Sequence, residues 1–408
     1  MAIQMAASHA VGRKLVDPIF EANAACKEAI KKFGADKVTN ATIGTVLDEH
    51  GNLSVMPTVE KIFREMSMPE FMSYAPISGR ADFIDLVKQK INCVGNVSAI
   101  ATAGGTGAIH HAIANYAERG DKVLTSDWRW GTYDIICNET GKKLEAFQLF
   151  DDDYTHFNLD AFSAKVEEIL SAQNSLLIIL NTPAHNPTGY ALSAGEWDKV
   201  LDVIKTCASG GKKITLLVDI AYIDFAGAGA WNFLREFENL PENILILVAM
   251  SLSKSFTLYG QRAGALIAIS AAKEIISEFD DTNKYSSRAT WSNINHGAQV
   301  LFTKINSNEN LRADLADDQK FLREMVNRRA EVFVNEAAAC GLKIVPYKGG
   351  FFIAVPAENP KAVCQKLQQD LIFAVPLKLG IRVAACSTPF EKISGVATKI
   401  KNAIDAVK

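Results

Sequence analysis

The amino-acid sequence predicts an α/β protein in which a mainly parallel β-sheet, covered by helices on both faces, is joined to a smaller α+β domain. Three observations carry this. From about residue 97, short apolar runs end in Gly-, Asn- or Ser-rich turns, and each turn leads into a helical stretch. The runs are apolar on both faces, as in a parallel sheet covered on each side. After Asn308 the rhythm changes to one long helical stretch followed by short strands and helices, which marks a second unit.

Taken in order, Asp17-Pro18 with Ile19, Phe20, Ala24 and Ala25 reads as a capped amphipathic helix. Val38–Val46 is apolar and β-branched, and Gly44 interrupts it where a backbone must pass something closely. Asp48–Asn52 is a turn, Thr58–Met66 a helix, Tyr74–Gly79 a loop and Ala81–Ile91 a helix. Val97–Thr102 leads through Gly104–Gly107 (GGTG) into a helix to Tyr116, and Lys122–Ser126 leads to DWRWGTY. Leu176–Leu180 leads to NTPAHNPTG, Ile214–Val218 to DIAY, and Ile244–Ala249 to the stretch AMSLSKSFTLYGQRAG. A further apolar run covers Ala263–Ile269. In the tail, Leu311, Leu315, Leu322, Met325, Val332 and Phe333 keep helical spacing up to Gly341. Strands at Leu342–Pro346 and Phe351–Val355 follow, with helices near 360–370 and 388–406. The expected division is a large domain, 56–308, and a small domain made of 1–55 and 309–408.

At 408 residues the chain is long enough to bury a sizeable core. A net charge of −3 gives no electrostatic footprint for nucleic acid or an anionic membrane. No apolar stretch approaches the roughly 18 residues of a membrane span, so neither partner is expected. The seven cysteines are scattered, with no C-x-x-C and no His/Cys cluster at metal-ligand spacing, so no metal is expected. Their dispersion fits a reducing compartment. The first 15 residues lack the apolar core of a secretory signal, which makes cytoplasmic the default and organelle targeting the alternative.

Chemistry gathers at the strand ends, where ligands of such sheets bind. Lys254 follows a buried strand, where an ammonium is costly unless neutral or bonded. Small neighbours leave room for something flat, and nearby serines with Arg262, eight residues on, suit a phosphate. Together these describe a lysine able to form a Schiff base with a phosphate-bearing aldehyde cofactor. The GGTG turn offers free amides and the Thr106 hydroxyl at a helix N-terminus. It is not a Walker loop, and His110 spoils the dinucleotide fingerprint. Asp219 ends a buried strand and needs a cation, for which a protonated pyridine nitrogen serves; Tyr222 could then reach the ring's phenolic oxygen. Asn186 is held between His185 and Pro187, and Trp128 or Trp130 could stack on a flat ring. Alone, each admits a plainer reading as a solvated lysine, a tight turn, an N-cap aspartate or a core tryptophan. Four such turns in chain order, followed by the lysine, are hard to obtain as independent accidents.

On these residues the chain resembles the fold-type I pyridoxal-phosphate aminotransferases, within them the aspartate and aromatic amino acid aminotransferases. The likeness runs from VDPIF through ATIGTVLDEHG, SYAPISG, AGGTGA, HNPTG, DIAY and SLSKSFTLYGQR to GIRVAACS. It implies a seven-stranded, mainly parallel sheet in the large domain and pyridoxal 5'-phosphate bound covalently on Lys254, which would also shuttle the proton. It implies that Asp219 holds the pyridinium charged, that Tyr222 and Asn186 bond the ring oxygen, and that Trp130 stacks on the ring. Gly105, Thr106, Ser251 and Arg262 would take the phosphate, helped by Tyr74 from a second subunit of a homodimer. Arg382 would grip the substrate α-carboxylate, beside Gly44 and Asn186, and Arg288 would reach across the dimer to a side-chain carboxylate. Aspartate or glutamate with 2-oxoglutarate is the implied substrate set. Tyrosine or phenylalanine is the alternative, and a lyase on the same fold is a second rival. The chain departs from the pattern at Tyr133, where aspartate aminotransferases usually carry a histidine, and in WRWG, which leaves Trp128 open as the stacking residue.

Overall fold

The computed structural model describes residues 5–93 and 95–407. Residues 1–4, the start of the segment 1–55, and residue 408, the end of 309–408, lie outside them. After a two-residue strand β1 (Thr39–Asn40), seven strands form the central sheet. They are β2 (Asn96–Thr102), β3 (Lys122–Ser126), β4 (Lys143–Phe147), β5 (Ser175–Asn181), β6 (Lys213–Asp219), β7 (Ile244–Ser251) and β8 (Gly264–Ser270). Their spatial order is β2-β8-β7-β6-β5-β3-β4, parallel except for β8, which runs against both neighbours.

Alternation within the strands explains the two-faced apolar runs. In β7, Ile244, Ile246, Val248 and Met250 join the core on one face, while Leu245, Leu247 and Ala249 join the core on the other. Side chains of period two thus bury both faces. β4 was not expected, because this edge strand reads KLEAF, with charges where the inner strands carry leucine or isoleucine.

The tail opens with a helix, Glu309–Cys340, capped by Asn308, whose side chain accepts from Leu311 N–H, and stopped by Gly341 at φ 67°. Beyond it lie β9 (Phe352–Pro356), β10 (Ile372–Phe373), β11 (Val375–Pro376) and β12 (Gly380–Ala384), with β12 between β11 and β9. Three expectations are corrected here. Leu342–Pro346 forms no strand: Val345 N–H gives one bond to the Ala354 carbonyl, and Pro346 has no N–H with which to continue. Val38–Val46 reduces to β1, because the Asn40 side chain accepts from both the N–H and the hydroxyl of Thr42 and turns the chain. The stretch 388–406 is two helices, Phe390–Ile393 and Val396–Ala406, separated at Gly395 with φ 83°. Among the described residues no helix is long and apolar enough to cross a membrane.

Candidate active site

Strand register assembles the site. Asn181 at the end of β5 stands opposite Asp219 at the end of β6, and Asp219 stands opposite Ala249 of β7. Because β8 is antiparallel, its first residue, Gly264, lies between Thr102 and Ser251 at this same edge. Arg262, two residues earlier, is thereby set beside the GGTG turn. The approach needs glycine: a Cβ on Gly264 would lie 2.3 Å from the Met250 carbonyl oxygen and 2.8 Å from the Gly104 carbonyl carbon. Gly104 itself has φ 68°, and a Cβ there would come within 3.0 Å of Arg262 Nη2. The helix Gly104–Tyr116 opens onto this cup.

Lys254 sits on the helical turn Leu252–Ser255, capped by Ser251, whose Oγ accepts from Ser253 N–H. Its Nζ lies 5.6 Å from the Tyr222 ring centroid and 5.3 Å from that of Tyr259. Burial, then the positive charge of Arg262, lowers its pKa to about 8, so a sizeable neutral fraction exists near neutrality. Arg262 Nη1 donates to Ser253 Oγ at 3.3 Å and to the Tyr259 carbonyl at 2.9 Å.

Asp219 is buried, and burial raises its pKa against the hydrogen bonds that favour its charge. Its Oδ2 accepts from Tyr133 Oη at 2.6 Å and its Oδ1 from Ala221 N–H at 3.1 Å. Asn181 donates through Nδ2 to the Asp219 carbonyl at 2.7 Å, and its Oδ1 accepts from Asn186 N–H at 2.7 Å. Asn186 Oδ1 in turn accepts from Arg382 Nη1 at 3.3 Å. Arg382, inside β12, donates through Nη2 to the Thr42 carbonyl at 2.6 Å, and its guanidinium lies 4.2 Å from the Phe352 ring centroid. Burial lowers its pKa to about 10, and its Nε is buried without a partner. Gly44 packs on the same Phe352, 2.9 Å from where its Cβ would be. Burial also pushes the Tyr222 phenol up.

Of the residues singled out in the sequence, Gly105, Thr106, Trp130, Asn186, Asp219, Tyr222, Ser251, Lys254 and Arg262 line one cleft. Arg382 joins it through Asn186. Trp128 does not line it: the side chain is buried in the core, with its ring edge against Gly380. Tyr74, 89% exposed, and the exposed Arg288, bonded to Ser292 Oγ at 2.5 Å, lie outside the cleft of their own chain. Sequence reasoning missed Asn181, although it opens the NTPAHNPTG turn, and Tyr259, although it stands within the lysine stretch. Thr42 contributes only a carbonyl, which carries no sequence signal.

These residues suit a flat, phosphorylated pyridine aldehyde. The glycine cup, Ser251 and Arg262 meet an anion, the buried carboxylate of Asp219 calls for a cation, and the low-pKa lysine lies between them. Fold and site together define a pyridoxal-phosphate-dependent enzyme. Comparison with known proteins narrows this to a family. The model of "Aminotransferase class I and II" matches residues 36–400. A crystal structure of an aminotransferase from Anaerococcus prevotii superposes with a TM-score of 0.96 at 37% identity, covering 99% of this chain and 100% of that one. The aspartate aminotransferase of Pseudomonas aeruginosa is 27% identical over 344 residues, 80% of this chain and 82% of the relative. An aromatic-amino-acid aminotransferase from Burkholderia pseudomallei, covalently bound to pyridoxal phosphate, shares the fold, with a TM-score of 0.79 at 23% identity over 98% of this chain and 100% of that one. The chain belongs to the class I and II aminotransferases and is a pyridoxal-phosphate-dependent transaminase.

Proposed function

We propose that the enzyme moves an amino group between aspartate or glutamate and a 2-oxo acid such as 2-oxoglutarate, in the cytoplasm, as a homodimer with shared active sites. The observation that carries the amino-acid half of this reading is Arg382. A buried guanidinium with an unpartnered Nε, one hydrogen bond from Asn186 at the cleft, supports capture of an α-carboxylate through two charge-assisted bonds. Arg288 supports a second carboxylate. It is exposed on its own chain and is useful to a site only if a second copy presents it there, as is Tyr74.

Position supports the remaining roles. When bound, the cofactor's ring supplies the electron sink that acidifies the substrate Cα–H. Lys254 would be its attachment point and the base that moves the proton at the substrate Cα, for which a pKa of about 8 is well matched. Asp219 would hold the proton at the ring nitrogen, and Tyr222 and Asn186 would donate to the ring oxygen. Trp130 would stack on the ring, while Gly105, Thr106, Ser251 and Arg262, which line the same cleft, would hold the phosphate. Gly44 lets the chain pack closely on Phe352, the ring over which the Arg382 guanidinium lies, and so would act on the substrate site through that ring. The division into 56–308 and 1–55 with 309–408 belongs to this proposal; parallel pairing of β1 with β10 supports it.

The test is kcat/KM for aspartate, glutamate, tyrosine and phenylalanine with 2-oxoglutarate, in wild type and Arg288→Leu, with sedimentation of the same preparations. A dimer whose variant loses orders of magnitude on aspartate and little on phenylalanine is expected. Equal losses, or a wild type inactive on aspartate, would move the assignment to aromatic substrates. Release of pyruvate and ammonia without an oxo-acid acceptor would indicate a lyase, and a fully active monomer would remove the shared site.

A further inference from the structure

Asp219 is the buried carboxylate opposite the lysine, and what stabilises its charge is unusual in kind. Tyr133 follows the WRWG turn, with its N–H donating to the Trp130 carbonyl at 3.1 Å. It is the second residue of the helix Thr132–Glu139, which packs through Ile136 and Cys137 into the core on one face of the sheet. The side chain is 1% exposed and meets Trp130 edge to face at 5.6 Å. Its Oη reaches Asp219 Oδ2 at 2.6 Å, the length of a charge-assisted O–H···O⁻ bond. The other groups facing this pair are Lys254, Tyr222 and the Ala221 N–H on Oδ1.

A phenol differs from an imidazole at this point. It gives one hydrogen bond and takes no proton across the physiological range, whereas an imidazole changes charge there. Burial beside a carboxylate drives the Tyr133 phenol further from ionising, so within the pair only the carboxylate can change charge.

We propose that Tyr133 is a positioning residue that holds Asp219 ionised and aimed at the cofactor's ring nitrogen through one neutral, buried hydrogen bond. The inference rests on the assignment of Asp219 to that nitrogen. Its consequence can be read in cofactor binding without turnover. A donor on the carboxylate favours the charged form and lowers its pKa. Removing the donor raises that pKa, and strengthening the donor lowers it further.

The experiment uses the full chain stripped of cofactor and titrated with pyridoxal phosphate across pH 5 to 9, for wild type, Tyr133→Phe and Tyr133→3,5-difluorotyrosine. The fluorinated ring keeps the shape and is a stronger donor below its own ionisation, so the acid limb remains informative if the phenylalanine variant folds poorly. The ionisations of free cofactor are common to all three, and differences between the curves report the protein. The acid limb of affinity is expected to move up by about one pH unit in Tyr133→Phe, the tenfold that a charged hydrogen bond is worth, and down in the difluorotyrosine variant. A uniform loss of affinity with unmoved limbs would show a purely structural tyrosine and overturn the proposal. So would limbs that move in the same direction in both variants. Failure of wild type to take up the cofactor would instead defeat the functional assignment.

Discussion

Replacing Arg382 by lysine separates charge from geometry at the proposed carboxylate site. The lysine keeps the positive charge but loses the planar fork, so one of two hydrogen bonds to a substrate carboxylate disappears. A bond to a charged group is worth about 1.5–3 kcal/mol, which corresponds to a fall in kcat/KM of roughly 10- to 150-fold. The protein feels the change too. Nη1 and Nη2 now satisfy Asn186 Oδ1 at 3.3 Å and the Thr42 carbonyl at 2.6 Å, and one ammonium cannot reach both and the substrate. Leaving one acceptor unpaired in the buried cluster costs about 1–3 kcal/mol of stability. The assay is steady-state kinetics on aspartate with 2-oxoglutarate, paired with thermal unfolding of the same samples. A loss of less than about threefold in kcat/KM, with an unchanged unfolding midpoint, would refute both the carboxylate role and the bonding pattern.

Gly264→Ala is expected to lower the unfolding midpoint by several degrees and to weaken phosphate retention. The new methyl would meet the Met250 carbonyl oxygen and Gly104 backbone, where overpacking costs about 1–3 kcal/mol; unchanged melting and cofactor release would contradict the close approach. The cofactor-free protein should gain stability from Lys254 as pH rises from about 8 towards 10. Its folded pKa, lowered to about 8, lies below that of the unfolded chain, so over this window the unfolded state binds more protons. Lys254→Met should abolish that increment in denaturant titrations across pH, and an identical pH slope in both proteins would show that the lysine is not desolvated.

Much of the site was legible because parallel sheets gather strand ends. The polar turns after Val97–Thr102, Leu176–Leu180, Ile214–Val218 and Ile244–Ala249 could be placed together from hydrophobic rhythm alone, and Lys254 and Asp219 with them. Arg382, in GIRVA, was reached through the family resemblance, and the structure buries it inside β12. What was hidden lay in tertiary pairings. The charged edge strand KLEAF reads as helix or loop until β3 pairs with it. Leu342–Pro346 has strand composition but lacks a ladder partner beyond one bond. The choice between Trp128 and Trp130 depended on which ring faced the cleft. Nothing in the composition of WRWG says that Gly380 approaches closely enough to hold Trp128 in the core.

Borohydride reduction of the yellow holoprotein followed by peptide mass spectrometry tests the central assignment most directly. Reduction fixes the cofactor to whichever amine carries it. The visible band should bleach, and a single pyridoxyl group should appear on the peptide containing Lys254, with none recovered from Lys254→Ala. A label on another lysine, or an unchanged spectrum and label in that variant, would contradict the assignment of Lys254 as the catalytic lysine.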